Sequence, residues 1–419
     1  MSAFTYRGGT LHADDVPLPA LAEQVGTPAY IYSATRIRQN YRAYKNAFDG
    51  DPVDVAFALK ANSNQSVIRL LAKEGAGADV VSGGELTRAL AAGVAPGRIV
   101  FSGVGKSKAE LAHALAAGIH QINVESSAEL EMLNAVALEQ GTRAKIALRV
   151  NPDVDAGTHA KISTGRKENK FGIDWEHAHE AFQRAKSLPG IDPVAVAVHI
   201  GSQLTRLEPF RAAYGRVAEL VASLRGFGVT LDRIDLGGGI GVVYHNESPP
   251  DLRAYAEIVR DTVGNLGCRI TLEPGRSLVA DAGILLARVI YVKEGLHRRF
   301  LIVDAAMNDL VRPAMYGSWH TLLPVREAAK GAATQPTDIV GPVCESGDTF
   351  AEQREMPPVA QGELVAFLTA GAYGAVMASE YNTRPLVPEV LVEGGRHAIV
   401  RPRPTLDDIL AREPLAPWL

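Results

Sequence analysis

The alternation of apolar and polar positions divides the chain in two. Between residues 30 and 280, short apolar and β-branched runs end in turn residues at Lys60, Ser82, Ser102, Glu125, Asn151, His199, Gly237 and Glu273. Between them lie Ala-, Leu- and charge-rich segments with helical spacing, such as GELTRALAAG, KAELAHALAAG and SSAELEMLNAVALEQ. Ser126 and Ser127, with Glu129 close behind, have the character of a helix N-cap. Short buried strands alternating with helices predict parallel βαβ units, and eight of them predict a (β/α)8 TIM-like barrel over residues 30–280. After Asp281 the rhythm changes. ILLARVIYVKEG, RRFLIVDAAM, TDIVGPVCESGD, ELVAFLTAGAYG and EVLVEGGRHAIVR are strand-like, with little helix between them. They predict a mostly-β C-terminal domain, a barrel or sandwich, over residues 281–419. Residues 1–29, which run into GTPAYIYS, are expected to form an arm packing with that β domain.

Composition adds bounds rather than detail. Of 419 residues, 47% are apolar and 21% charged, the balance of an ordinary globular protein long enough for two domains. A net charge of -4 offers no electrostatic case for nucleic acid or an anionic membrane surface. Two cysteines, Cys268 and Cys344, build no disulfide framework, which points to a reducing compartment. The opening MSAFTYRGGT lacks the basic and then apolar regions of a secretory signal, and no long uncharged apolar run follows, so a cytoplasmic protein is expected.

The chemistry gathers at strand ends. In a (β/α)8 barrel, functional groups sit on the loops after the strands, at one mouth. Lys60 closes the apolar run VDVAFALKAN. It is either a lysine whose head reaches water, or an amine of lowered pKa able to form a Schiff base. His199 has three readings: a core histidine, a metal ligand or a ring-stacking group; no second histidine stands at metal-ligand spacing. LGGGIG (residues 236–241) is either a tight turn or a phosphate cradle in which backbone N–H groups approach an anion. Glu273 is a carboxylate at the end of an apolar strand, costly unless paired with a cation, and Arg276 is the nearest candidate. SGVGKS (residues 102–107) lacks the first glycine of a P-loop and reads as a turn and helix start.

Lys60 in ALKAN, His199 in HIGSQ, LGGGIG and EPGR (residues 273–276) together resemble the fold-type III pyridoxal-phosphate decarboxylases. NDLVRPAMYG (308–317), GPVCESGD (341–348), GAYG (371–374) and the long loop NPDVDAGTHAKISTGRKENKFGI (151–173) narrow the resemblance to the diaminopimelate decarboxylase family, in order from about Gly26 to Arg384. The resemblance implies decarboxylation of meso-diaminopimelate to L-lysine and CO2, the last step of lysine biosynthesis. Lys60 would carry pyridoxal 5'-phosphate and His199 would stack on its ring. Ser202, Gly237, Gly238, Gly239, Pro274, Gly275, Arg276 and Tyr373 would hold the phosphate end, and Glu273 would face the pyridine nitrogen. A carboxylate there keeps the nitrogen protonated and the ring a better electron sink. Arg276, Arg312, Tyr316, Glu345 and Tyr373 would bind the substrate, the arginines by bidentate recognition of carboxylate.

A lone cysteine in a β segment is ordinarily a small buried hydrophobe. The resemblance instead makes Cys344 a proton donor, acting from the partner subunit of a homodimer with active sites at the interface. The rival reading is an ornithine, arginine or lysine decarboxylase of the same fold, which would call for an acidic specificity pocket. A non-catalytic cofactor-binding regulator is a further alternative, although such proteins usually lose the lysine or the cysteine. The loop 151–173 is long enough to act as a lid.

Overall fold

The computed structural model describes residues 3–155 and 170–419. They form two compact units. One comprises residues 38–242 and 247–278 and holds eight parallel strands: β1 (Val53–Ala58), β2 (Gly77–Val80), β3 (Ile99–Phe101), β4 (Gln121–Val124), β5 (Ala144–Asn151), β6 (Ile191–Ala197), β7 (Arg233–Asp235) and β8 (Arg269–Leu272). Each pairs in parallel with the next, and β8 pairs back onto β1, so the sheet closes into a barrel. These are the eight runs the hydrophobic pattern predicts. Parallel strands covered by helices are buried on both faces, which is why they read as continuous apolar runs rather than alternating ones. Every residue of β2, β3 and β4 is buried.

The loops leaving β2, β3 and β4 are short, and serines start the helices that follow. Ser82 accepts from the Glu85 N–H, Ser126 from the Glu129 N–H, and Ser107 forms a reciprocal capping box with Glu110. The residues beside them therefore gather at the C-terminal mouth. Lys60 lies in a single 3-10 turn (Leu59–Ala61) directly after β1. His199 and Gly237 each stand two residues past β6 and β7, and Glu273 immediately follows β8.

The other unit comprises residues 1–37, 243–246 and 279–419. Its spine is the twelve-residue strand Gly283–Glu294, which pairs antiparallel with Ala29–Ser33, Arg299–Val303 and Leu364–Phe367. Ala29–Ser33 also pairs in parallel with Glu389–Glu393, and Phe4–Arg7, Thr10–Ala13 and Val16–Pro17 form a small meander. Leu11, Leu18, Leu21, Ile31, Ile284, Leu286, Val390 and Val392 share one core cluster, which ties the N-terminal segment to the later strands. No helix among the described residues is long and apolar enough to cross a membrane.

Candidate active site

At the strand ends of the barrel lies a cavity of about 400 Å³ lined by Lys60, Ser102, Asn123, Arg149, His199, Asp235 and Glu273, among others. Lys60 Nζ donates to Asp79 Oδ2 at 2.7 Å; the lysine side chain is 36% exposed and the aspartate fully buried. The amine is thus held by one fixed carboxylate while remaining open to the cavity. The reading of a lysine that merely reaches water leaves this pairing unexplained.

Glu273 and Asp235 are both buried, and the charge of Asp235 works against a charge on Glu273. Charging both carboxyls inside the barrel is costly, so one of them keeps its proton. Asp235 has the better claim to the charge. Its Oδ1 accepts from the Gly237 N–H at 3.0 Å, and its Oδ2 from Asn123 Nδ2 at 3.0 Å and Gln121 Nε2 at 3.3 Å. Glu273 Oε1 is buried with no hydrogen-bond partner. Burial first, and then Asp235 and Asp79, push the Glu273 carboxyl well above the usual carboxylate range, with Lys60 opposing. Glu273 therefore holds the proton. This replaces the pairing with a cation expected from sequence, for Arg276 turns Nε and Nη2 to Ser202 Oγ at 3.3 and 3.1 Å.

His199 accepts the Gly238 N–H at Nδ1, 3.2 Å away. Burial, with Arg149 and Lys60 nearby, holds its pKa well below the ordinary histidine value. It is a neutral, flat ring with its proton on Nε2. The glycine run beside it is there for close approach. Gly237 adopts φ +65°, and a Cβ on it would lie 2.6 Å from His199 Nδ1; a Cβ on Gly238 would lie 2.3 Å from the Glu273 carbonyl oxygen. The N–H groups of Gly237 and Gly238 are already engaged by Asp235 and His199.

SGVGKS does start a helix, and it also walls the cavity through Ser102, Gly103, Val104 and Gly105. Lys106 fixes that wall. Its Nζ, almost wholly buried, donates to the Gly103 and Asn123 carbonyls and to Glu129 Oε1 at 2.6, 2.8 and 2.6 Å. Of the long loop 151–173, residues 156–169 lie outside the described residues; Phe171, just beyond them, stands beneath the Arg149 guanidinium and lines the cavity.

Arg312, Tyr316, Cys344, Glu345 and Tyr373 belong to the other unit. Arg312 is buried, with its guanidinium 4.4 Å from the centre of the Tyr244 ring. Tyr316 ends the short helix Arg312–Tyr316. Cys344 is exposed, contrary to the ordinary expectation of a small buried hydrophobe. Asp348 holds its loop by accepting the Met307 and Val343 N–H groups at 2.6 and 2.7 Å, while the charge of Glu345 helps to raise the Tyr381 pKa. Tyr373 adopts φ +56°, rare for an aromatic residue and characteristic of functional sites when the surroundings enforce it. Those surroundings are tight: Cβ atoms on its neighbours Gly371 and Gly374 would lie 2.0 Å from Val279 O and 2.6 Å from Tyr30 Oη.

Residues 34–280, more than half of the chain, match the family described as pyridoxal-dependent decarboxylase, pyridoxal binding domain. Over 418 residues the chain is 50% identical to a diaminopimelate decarboxylase of Pseudomonas fluorescens, and over 424 residues 48% identical to one of Zymomonas mobilis, with all of both chains covered in each case. The chain belongs to the diaminopimelate decarboxylase family. Among solved structures, the diaminopimelate decarboxylase of Helicobacter pylori complexed with L-lysine is 44% identical with a TM-score of 0.91, covering 94% of this chain and 99% of that one.

Pyridoxal phosphate, the cofactor of the diaminopimelate decarboxylase family, can be tested against the residues present, and they fit. A lysine amine, a neutral flat ring and a protonated buried carboxyl with an unsatisfied oxygen line one cavity, and a glycine run packs closely against the last two. Four residues of this site escape a reading by sequence alone: Asp79, Asn123, Arg149 and Asp235. Each is a polar residue inside an otherwise apolar strand, in GADVV, QINV, LRVN and RIDLGGG, and that interruption is the signal that could have exposed them.

Proposed function

We propose that this chain decarboxylates meso-diaminopimelate to L-lysine and CO2 using pyridoxal phosphate bound in the barrel. The carrying observation is the convergence of Lys60, His199 and Glu273 on one cavity in a chain with full-length diaminopimelate decarboxylase relatives. When bound, the cofactor supplies an electron sink for the pair left on Cα as CO2 departs.

The chain's own residues do the rest. Lys60 Nζ, steered by Asp79, would hold the cofactor covalently. His199 would lie flat against its ring without adding a positive charge. Glu273 would give its proton to the ring nitrogen and face the resulting cation as a carboxylate, with Asp235 behind it. Gly239 would donate its N–H to the phosphate, with Ser202, Gly275, Arg276 and Tyr373; Gly237, Gly238 and Pro274 would contribute shape rather than donors. At the substrate's far end Arg312 would grip the carboxylate, with Arg276 and Tyr316 assisting and Glu345 meeting the ammonium. The carbon that loses CO2 must take a proton, and Cys344 of the partner subunit in a cytoplasmic homodimer would supply it from Sγ.

The test is CO2 release from meso-diaminopimelate by purified, cofactor-loaded protein, with L-lysine, L-ornithine and L-arginine as parallel substrates. Release from diaminopimelate alone, with lysine formed in equal amount, is expected. Release only from a basic amino acid would overturn the substrate and the roles of Arg276, Arg312 and Glu345.

A further inference from the structure

Arg312 opens the helix Arg312–Tyr316 and is 5% exposed, so its donors must be met inside the protein. Nη1 lies 2.8 Å from His320 Nε2, Nη2 donates to Ser318 Oγ at 3.3 Å, and the guanidinium stacks on Tyr244. His320 is itself fixed at several points. Its Nδ1 stands 2.9 Å from the Leu368 carbonyl oxygen, which can only accept, so Nδ1 carries the proton. In the neutral ring Nε2 is then a lone-pair acceptor, aimed at Arg312. The His320 carbonyl accepts from Arg354 Nη1 at 2.9 Å, and the ring stands edge-on to Tyr244 with centroids 5.4 Å apart. Thr321, the next residue, donates to the Tyr244 carbonyl at 3.0 Å. Tyr244, Arg312 and His320 thus form one three-sided assembly.

The choice of an imidazole acceptor has a chemical meaning. A carboxylate in that place would orient the guanidinium and also neutralise it. A neutral imidazole orients it without itself neutralising it. We propose that His320 is a positioning residue for substrate selection, holding Arg312 in the orientation in which its guanidinium receives the distal carboxylate of an amino diacid or of the amino-acid product. The proposal rests on the reading of Arg312 as the distal-carboxylate ligand.

Two ligands separate these roles: L-lysine, which keeps the distal carboxylate, and cadaverine, which is lysine without it. Their dissociation constants for the cofactor-loaded protein are read from the cofactor's absorption. In His320→Asn the side chain still reaches Leu368 but falls short of Arg312. Its lysine affinity should fall at least about tenfold, the scale of one hydrogen bond to a charged group, while cadaverine affinity stays within about twofold. His320→Gln, which restores an acceptor at the reach of Nε2, should recover most of the loss. In turnover His320→Asn should raise KM for diaminopimelate more than it lowers kcat. His320→Leu removes the acceptor by another route and serves if the Asn variant does not take up cofactor.

Arg312→Ala should abolish the preference for lysine over cadaverine, and adding His320→Asn to it should change nothing further. If Arg312→Ala abolishes the preference but His320→Asn and His320→Leu retain it, His320 does not position Arg312 and the proposal falls. If both ligands weaken in parallel in the His320 variants, its role is general packing and the proposal likewise falls. If Arg312→Ala itself retains the preference, the reading of Arg312 is wrong and the proposal goes with it.

Discussion

Lys60 and Asp79 form an asymmetric pair: the aspartate is fully enclosed and the lysine is open to the cavity, with 2.7 Å between Nζ and Oδ2. Removing the charge of the enclosed partner should leave Lys60 present but unsteered. Asp79→Asn is expected to keep the fold and to weaken covalent cofactor capture by about 10- to 100-fold, as for loss of a charge-assisted hydrogen bond. Cofactor uptake followed by absorption, with borohydride trapping of the lysine adduct, measures it; trapping at the wild-type rate would show that Asp79 does not steer the amine.

The Glu273 proton has a pH signature. An unfolded glutamate titrates near about 4.3, whereas folding raises the Glu273 pKa well above that through burial and through Asp235. In the window between those values the folded, cofactor-free protein binds more protons than the unfolded chain. The stability this contributes is full below the unfolded value and is lost as pH rises through the folded one. Glu273→Gln carries no such proton. Between about pH 5 and pH 8 the cofactor-free wild type should therefore lose more of its melting temperature than Glu273→Gln does, while the variant loses most of its decarboxylase activity. Parallel pH dependence in the two proteins would place the proton elsewhere.

Much of this site is legible in the sequence. Lys60, His199 and Glu273 stand out because each ends a buried strand, where a polar residue needs a reason, and the barrel follows from counting such ends. Asp79, Asn123 and Asp235 were hidden because they lie within the strands, where sequence shows one polar letter in an apolar run but not the direction it faces. Only closure of the sheet brings Asn123 of β4 within 3.0 Å of Asp235 on β7. The pairing of Glu273 with a carboxylate rather than with nearby Arg276 was equally illegible, since proximity in the chain favours the arginine and geometry gives that arginine to Ser202.

The glycine run offers a steric test. A methyl at Gly238 would lie 2.3 Å from the Glu273 main-chain oxygen, and backbone cannot swing aside as a flexible side chain can. Gly238→Ala should displace the β8 end together with Glu273, costing about 1–3 kcal/mol of stability as overpacking does. It should also cost at least as much in cofactor affinity, read by equilibrium titration with pyridoxal phosphate. Unchanged affinity would mean that the run is only a turn.

Sharing of sites between subunits can be tested by mixing. Lys60→Ala and Cys344→Ala proteins should each be nearly inactive. Hybrid dimers of the two should regain part of the activity, because one of their two sites would draw an intact lysine from one chain and an intact cysteine from the other. No recovery, with subunit exchange demonstrated by differential labelling, would assign each site to a single chain.

The strand Ala29–Ser33 is wholly buried between Gly283–Glu294 and Glu389–Glu393, two segments made long after it. On the ribosome, then, order of synthesis and order of assembly part company. The barrel strands from Val53 to Leu272 can find one another while translation continues, but AYIYS emerges early, waits for residues 283–294 to gain its first neighbour, and lacks the second until residues 389–393 are made. Through that interval it is an unpaired apolar edge, the kind of segment that associates with the wrong chain. Any interruption of translation before residue 389 leaves that edge open on one side, so the quality of the finished protein depends on its last strands as much as on its first.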